Sequence, residues 1–182
     1  MKLHILIISI LSFALLSIQA NAQETPFHTG PVFHDFANTA TVDVDISIPK
    51  DHKFKVSFDA SKQGQNGKLN QTFNSAARFI NMHVAAGVPI KNIDIAIVIH
   101  GTATLDLLKN KAYKAAHNGV KNVNIKMIKA LMDNGVKFYL CGQSAAYRAV
   151  DKKDLIPGVK LVLSAMTAHA LLQDEGYTLN PF

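Results

Sequence analysis

The chain has 182 residues, 48% of them hydrophobic, with 19 basic and 13 acidic side chains and a net charge of +6 at pH 7. This length fits one folded domain, which buries about 70% of the surface that its unfolded chain exposes. The lysines are spread along the chain without interleaved aromatic residues, which favours solubility or attraction of small anions over nucleic-acid binding. Cys141 is the only cysteine, which excludes an internal disulfide and a self-contained dithiol oxidoreductase.

The first 22 residues have the pattern of a secretory signal peptide. Met1-Lys2 supplies a basic start, Ile5–Leu16 an apolar core, and Ala20-Asn21-Ala22 a small-x-small cleavage site before Gln23. The apolar run is well short of the roughly 20 residues that span a bilayer, and no cysteine near the cleavage site could carry a lipid. We therefore predict a protein without a membrane anchor that is exported to the periplasm.

Residues 23–52 form a predicted N-terminal arm that contains one strand. Apolar and polar side chains alternate strictly over 41–48, the period of a strand with one buried face. The apolar members are Val42, Val44, Ile46 and Ile48. A predicted turn at 49–52 leads to a second strand that begins at Phe54. The first strand either pairs with the second as a hairpin or lies across a neighbouring subunit, and the pattern does not decide between these alternatives.

Residues 53–182 are predicted to form one α/β domain. Apolar side chains at spacings of three and four predict a helix over 69–86. Phe79 and Met82 widen its apolar face beyond what one sheet face would cover, which predicts an interface between subunits. His83 lies about 21 Å along this helix, far from the strand carboxyl ends, so we assign it to packing or to the same interface.

Strands and helices alternate over the rest of the domain. Strands are predicted at 93–99, 136–140, 159–163 and 177–179, and helices at 105–116, 125–133 and 165–175, with a short helix after Cys141. This order predicts a three-layer α/β sandwich with a mostly parallel sheet.

Four predicted strands end on chemically capable side chains, namely Asp59, His100, Cys141 and Ser164. The carboxyl ends of parallel strands share one edge, where open α/β sheets bind ligands. Simpler interpretations stay open: Asp59 as a turn residue, His100 as a core histidine, Cys141 as a small buried hydrophobe and Ser164 as a helix cap.

Cys141 and His100 are the predicted catalytic pair. A thiol at a helix start is favoured as the thiolate by the unpaired N–H groups there. An imidazolium lowers the pKa of a neighbouring thiol, and a neutral imidazole accepts its proton. Gln143 and Ser144 are candidate anion-binding residues at the same helix start, alongside Ser164 and Asp59.

Other chemistries lack their motifs. No Gly-rich phosphate loop follows the first strand, and there is no Gly-x-Ser-x-Gly elbow. No histidine pair has His-x-x-x-His spacing, so neither a metal nor a cofactor is predicted.

Five ordered motifs resemble an exported branch of the DsrE/DsrF-like family over roughly Phe54 to the C-terminus. They are Asn81-Met82-His83, Val98-Ile99-His100-Gly101, Cys141-Gly142-Gln143-Ser144, Ser164-Ala165-Met166-Thr167-Ala168 and Gly176-Tyr177-Thr178-Leu179. The resemblance implies a parallel α/β sandwich and a homo-oligomer such as a trimer or hexamer. Its better-understood relatives relay sulfur as a cysteine persulfide, and Cys141 resembles the position of the cysteine that some of them use.

Two functional hypotheses follow. In the first, Cys141 accepts and passes sulfane sulfur, exchanged with a donor or acceptor protein or a small sulfane because the chain has no second cysteine. The relay relatives act in the cytoplasm with partner carriers, whereas this chain begins with a predicted export signal. In the alternative, the protein is a non-catalytic oligomer that binds a small anion or another ligand at the sheet edge, and Cys141 only packs.

Overall fold

The computed structural model describes residues 26–49, 51–65 and 67–181. The predicted signal peptide lies outside these ranges. Within them, no helix combines the length and the apolar character needed to cross a membrane.

The described chain contains seven strands and five α-helices. The strands are β1 (Phe27–His28), β2 (Thr39–Ala40), β3 (Phe54–Ala60), β4 (Ile93–Ile99), β5 (Lys137–Cys141), β6 (Lys160–Val162) and β7 (Thr178–Asn180). The helices are α1 (Gln71–Ala85), α2 (Asn110–Ala116), α3 (Asn124–Asp133), α4 (Gly142–Tyr147) and α5 (Ala165–Asp174). Short 3-10 helices cover 90–92, 101–107 and 152–154.

Five strands form one parallel sheet in the order β6-β5-β4-β3-β7. Its central strand β4 is the predicted aliphatic run, and its last five residues are buried. Such runs are typical of strands covered on both faces. The predicted α/β sandwich with a mostly parallel sheet is confirmed.

The two faces of the sheet are covered differently. Helices α1 and α3 pack on the larger core, which includes Phe58, Ile97 and Phe138. The opposite face carries the alternate residues of the same strands, and α5 packs there over a smaller cluster that includes Ala96 and Val98. Because side chains alternate along a strand, Asp59 and Cys141 belong to the α5 face.

The predicted helix over 105–116 is wrong in its first half. A 3-10 helix spans Gly101–Leu107, and α2 begins only at Asn110. Between them Leu108 forms an isolated β-bridge with Leu155, and the Lys109 N–H donates to the Asp154 carbonyl at 2.8 Å. These long-range bonds replace the hydrogen bonds of a continuous helix, which local periodicity could not reveal.

Buried Asn81 of α1 anchors the N-terminal arm. Its side-chain oxygen accepts hydrogen bonds from the N–H groups of Val32 and Phe33, and its nitrogen donates to the carbonyls of Phe33 and Ala37. All four bonds hold 32–37 on the helix, so one amide fixes the arm to the domain.

The predicted strand over 41–48 is absent. These residues have no strand structure, and the arm instead forms the two-residue ribbon of β1 and β2. The hairpin with the next strand is excluded because β3 already pairs with β4 on one side and β7 on the other. Alternation alone could not show that both sides of β3 are occupied.

Asp106 is the hub of a buried polar network. Its carboxylate accepts from the Gly64 N–H at 2.8 Å, from Asn70 Nδ2 at 2.8 Å and from Asn124 Nδ2 at 3.2 Å. Asn70 also caps α1 by accepting from the N–H groups of Thr72 and Phe73. Burial raises the pKa of Asp106, and the donors Asn70 and Gly64 only partly offset this effect. The network ties the preceding loop to the starts of α1 and α3.

We expect Asp106→Asn to destabilise the fold by about 1–3 kcal/mol, because the new amide nitrogen would face a hydrogen-bond donor. The raised pKa means that the folded state binds the proton more tightly than the unfolded state. Stability should therefore fall as pH rises from the ordinary carboxyl pKa through the folded one, and the variant should lose this fall. Urea unfolding at several pH values tests both effects. Exposed Asp133→Asn is the control, and an Asp106→Asn protein as stable as wild type would contradict the hub.

Candidate functional site

The parallel register brings three of the predicted site residues to one edge and one face of the sheet. Ile99 of β4 pairs with Leu140 of β5, so His100 and Cys141 occupy the next positions along these two adjacent strands. Asp59 lies beside them, near the end of β3. The structure thus brings together the ends of β3, β4 and β5, which carry Asp59, His100 and Cys141.

Cys141 is the last residue of β5 and immediately precedes α4, and it is 5% exposed. Burial raises the pKa of its thiol, but hydrogen bonds from the Ser144 hydroxyl and from the N–H groups of Ser144, Ala165 and Gln143 lower it more. The net direction is a lowered pKa. The donors come from the first turns of both α4 and α5, so two helix starts stabilise one thiolate.

Ser144 connects the thiol to the end of β4. Its Oγ accepts a hydrogen bond from the Gly101 N–H at 3.1 Å, and its own hydrogen serves the Cys141 thiol. On the other side of the same peptide, the Arg148 Nε–H donates to the Gly101 carbonyl. The Ser144 hydroxyl is thereby oriented by the backbone next to His100.

Two glycines follow the site residues directly. Gly101 has a φ of +55°, and a Cβ there would lie 2.6 Å from the Ser61 carbonyl oxygen. A Cβ on Gly142 would lie 2.8 Å from the Val162 carbonyl oxygen. Both approaches are too close for any side chain, so the backbone passes these points only as glycine.

Asp59 joins two imidazoles. His100 Nε2 lies 3.1 Å from both carboxylate oxygens, and His169 Nε2 lies 2.9 Å from Oδ1. Burial raises the pKa of Asp59, yet the hydrogen bonds from His169 and His100 make the net direction a lowering. The carboxylate is therefore ionised at neutral pH and orients both rings.

His100 does not take the role predicted for it through a direct thiol contact. Its Nε2 is engaged by Asp59, and the groups that lower the Cys141 pKa are Ser144, Ala165 and Gln143. The groups that lower the thiol pKa thus lie at the helix starts, whereas the sequence analysis also expected the imidazole to lower it. His100 is held beside Cys141 as part of the Asp59 cluster.

Sequence reasoning missed His169. It lies on α5, whose contacts with β4 and β5 turn this histidine toward Asp59. Its spacing was a usable signal, because His169 is four residues after Ala165 and three before buried Leu172, on the face that packs against the sheet. The Nδ1 atom of His169 is buried without a hydrogen-bond partner in the described structure.

The remaining two predicted binding residues contribute differently. Ser164 is buried and caps α5, its Oγ accepting from the Thr167 N–H at 3.0 Å. This is the simpler role considered for it. Gln143 turns its exposed side chain toward the Leu163 carbonyl at 3.3 Å, and its backbone N–H serves Cys141.

The predicted interface residues lie on the opposite side of the sheet from Cys141. The His83 ring stacks on Phe79 with 3.8 Å between ring centroids and meets the edge of Phe54, and its Nδ1 lies 2.7 Å from the Phe79 carbonyl. Burial lowers the pKa of His83. Met82 is exposed beside a groove of about 210 Å³ that Phe58 and Phe79 also line. His83 therefore packs within the domain, away from the thiol.

Larger cavities lie away from Cys141. One of about 440 Å³ is lined by residues of the 62–72 loop and helix start, and one of about 490 Å³ lies between the arm and α1. In the described part of the chain, no group of three or more His, Cys, Asp and Glu side chains is arranged to hold a metal ion.

The model of the DsrE/DsrF-like family matches residues 53–181, which include every residue of this edge. The chain belongs to this family. The protein of unknown function MTH1491 from Methanobacterium thermoautotrophicum has a similar structure, with a TM-score of 0.54 and 16% identity over 71% of this chain and 100% of that one. The ychN protein from E. coli is similar with a TM-score of 0.52 and 18% identity over 71% of this chain and 99% of that one. No curated protein matches the chain.

In this DsrE/DsrF-like protein, Asp59→Asn should destabilise the fold by about 1 kcal/mol, because the amide has no charge and replaces one acceptor oxygen with a donor. The lowered Asp59 pKa adds stability at neutral pH that is lost as pH falls below the ordinary carboxyl pKa through the folded one. The variant should lose this acid dependence. Denaturant unfolding against pH measures it, with exposed Asp174→Asn on α5 as the control. Identical acid dependence in wild type and Asp59→Asn would contradict the cluster.

Proposed function

We propose that this protein is an exported, homo-oligomeric carrier of sulfane sulfur in which Cys141 accepts and passes one sulfur atom. The observation that carries the proposal is the place of Cys141 directly before α4, where hydrogen-bond donors of Ser144, Ala165 and Gln143 lower the pKa of its thiol although it is buried. A cysteine that only packs in a core needs no such donors, and an apolar site would raise its pKa.

The transfer step requires no cofactor and no net redox change. The Cys141 thiolate attacks the outer sulfur of a persulfide donor, R–S–SH. A new bond forms between Sγ and that sulfur, the S–S bond of the donor breaks, and the donor leaves as the thiolate R–S⁻. The products are a Cys141 persulfide and a thiolate, so atoms and charge balance. The reverse step delivers the sulfur to an acceptor thiolate.

The neighbouring residues support this step in distinct ways. Donors from α4, α5 and Ser144 stabilise negative charge at sulfur. His100 follows β4 at the position beside Cys141, and Asp59, which also binds His169, holds its ring there, so His100 adds an imidazole next to the thiol rather than a direct contact with it. A thiol that is 5% exposed favours a small donor or a tightly fitted partner terminus over a bulky surface.

Export and assembly complete the proposal. The leader pattern of residues 1–22 supports transport to the periplasm, where the donor and acceptor must be other molecules because Cys141 is the only cysteine. The resemblance of the five motifs supports a trimer or hexamer.

The test combines alkylation kinetics with intact mass. The midpoint of the alkylation rate of Cys141 against pH should lie below the free-thiol value of about 8.5, because hydrogen bonds favour the thiolate. Ser144→Ala should move this midpoint upward and slow the reaction at neutral pH. After exposure to inorganic polysulfide, wild-type protein should gain about 32 Da at Cys141. Cys141→Ser is the control that should gain nothing.

Two outcomes would contradict the carrier function. A thiol that alkylates only after unfolding would make Cys141 a core residue. An accessible thiol that never gains sulfur would favour the alternative, an oligomeric protein that binds a small anion at the same edge.

Exposed Met82 gives a separate prediction for assembly. If the α1 face is an interface, Met82→Lys should lower the mass measured by light scattering, because a charge would be buried between subunits. Ile90→Lys is the control on an exposed apolar side chain of similar size outside the helix. An unchanged mass for Met82→Lys would remove this face from the interface.

A further inference from the structure

We propose that residues 42–48 of one copy, here called the outer segment, add as a strand to β6 at the sheet edge of a second copy. The outer segment exposes large apolar side chains: Val42 is 67%, Val44 57% and Ile46 87% exposed. They alternate with Asp43 and Asp45, as in a half-buried strand. No other described part of the chain buries them, and such a patch marks an interaction site.

The domain that carries the outer segment has no place for it beside β3. Both sides of β3 are occupied, and the His52 N–H donates to the Pro49 carbonyl at 3.0 Å, which keeps these two residues of the connection close together. The outer side of β6 is four strand spacings from β3, about 19 Å. A connection in which Pro49 and His52 are hydrogen-bonded to each other is too short to cover this distance, so the accepting β6 belongs to another copy.

β6 is suited to accept a strand. It is the edge strand of the described sheet and pairs only with β5. Leu161 within it is 46% exposed, and Leu163 directly after it is 71% exposed. Lys160 is exposed and forms no ion pair in the described structure. Edge strands with exposed apolar side chains are templates for added strands.

The two strands complement each other on both faces. Side chains on the same face of paired strands lie in contact, and neighbours along a strand point to opposite faces. A register that places Val44 beside Leu161 therefore puts Asp43 or Asp45 beside Lys160. The other edge strand, β7, has the sequence Thr178-Leu179-Asn180 and offers no cation within the strand. Charge complementarity thus selects β6.

The first experiment tests the contact and its partner. Unlabelled and ¹⁵N-labelled protein are mixed and treated with a carbodiimide, which joins a lysine to a carboxylate in direct contact. We expect peptides that link Lys160 to Asp43 or Asp45 and contain one labelled and one unlabelled half. Lys160→Gln should abolish them. Links found only within single chains, or no link at Lys160, would overturn the proposal.

The second experiment measures amide hydrogen exchange of the outer segment. Protection of 42–48 should increase with protein concentration and be lost in Leu161→Asp, whose fold is checked by circular dichroism. Leu179→Asp, on the opposite edge, is the matched control and should keep the protection. Loss in Leu179→Asp alone would place the segment on β7, and fast exchange in an oligomeric sample would also overturn the proposal. Neither experiment involves Cys141, so the result is independent of the sulfur-carrier function.

Discussion

The parallel pairing of β3, β4 and β5 is the constraint on which the rest of the site depends. It places Asp59, His100 and Cys141 on one face at one edge of the sheet, although they are far apart in the sequence. The helices that follow the strands supply the remaining groups of the site. The first turns of α4 and α5 bring N–H groups to the sulfur, and α5 brings His169 to the Asp59 carboxylate. A shift of one residue in the pairing of β5 would turn Cys141 to the other face and remove it from both groups.

Burial and hydrogen bonding oppose each other at this edge, and hydrogen bonding prevails at both ionisable positions. Desolvation alone would raise the pKa of both groups, yet the pKa of each is lowered overall by hydrogen-bond donors. At Asp106 the balance is reversed, because burial is deeper and its raised pKa remains after three hydrogen bonds. The fold therefore lowers the pKa of the Asp59 carboxyl, which favours its charged form, and raises that of Asp106, which serves as a hydrogen-bond acceptor between loops and helices.

The sequence predicts the fold well where the pattern depends on burial by the domain itself. The aliphatic run of β4 and the polar residues at the strand ends are such cases. It fails where a partner decides the structure: the alternation over 41–48 indicates a strand, but β3 has no side left to pair with it. The contact of His169 with Asp59 depends on how α5 lies across the sheet. The spacing of residues within α5 does not reveal how the helix is oriented on the sheet.

The glycines after His100 and Cys141 limit how this site can change by mutation. A methyl group at Gly142 would push against the β6 backbone, and one at Gly101 would push against the Ser61 carbonyl, so either change would move a whole segment. Exposed side chains of α4 and α5, such as Tyr147 and Met166, meet no such obstacle. Mutation at the two glycines would therefore disturb the backbone beside the sulfur, whereas mutation at the exposed positions would not.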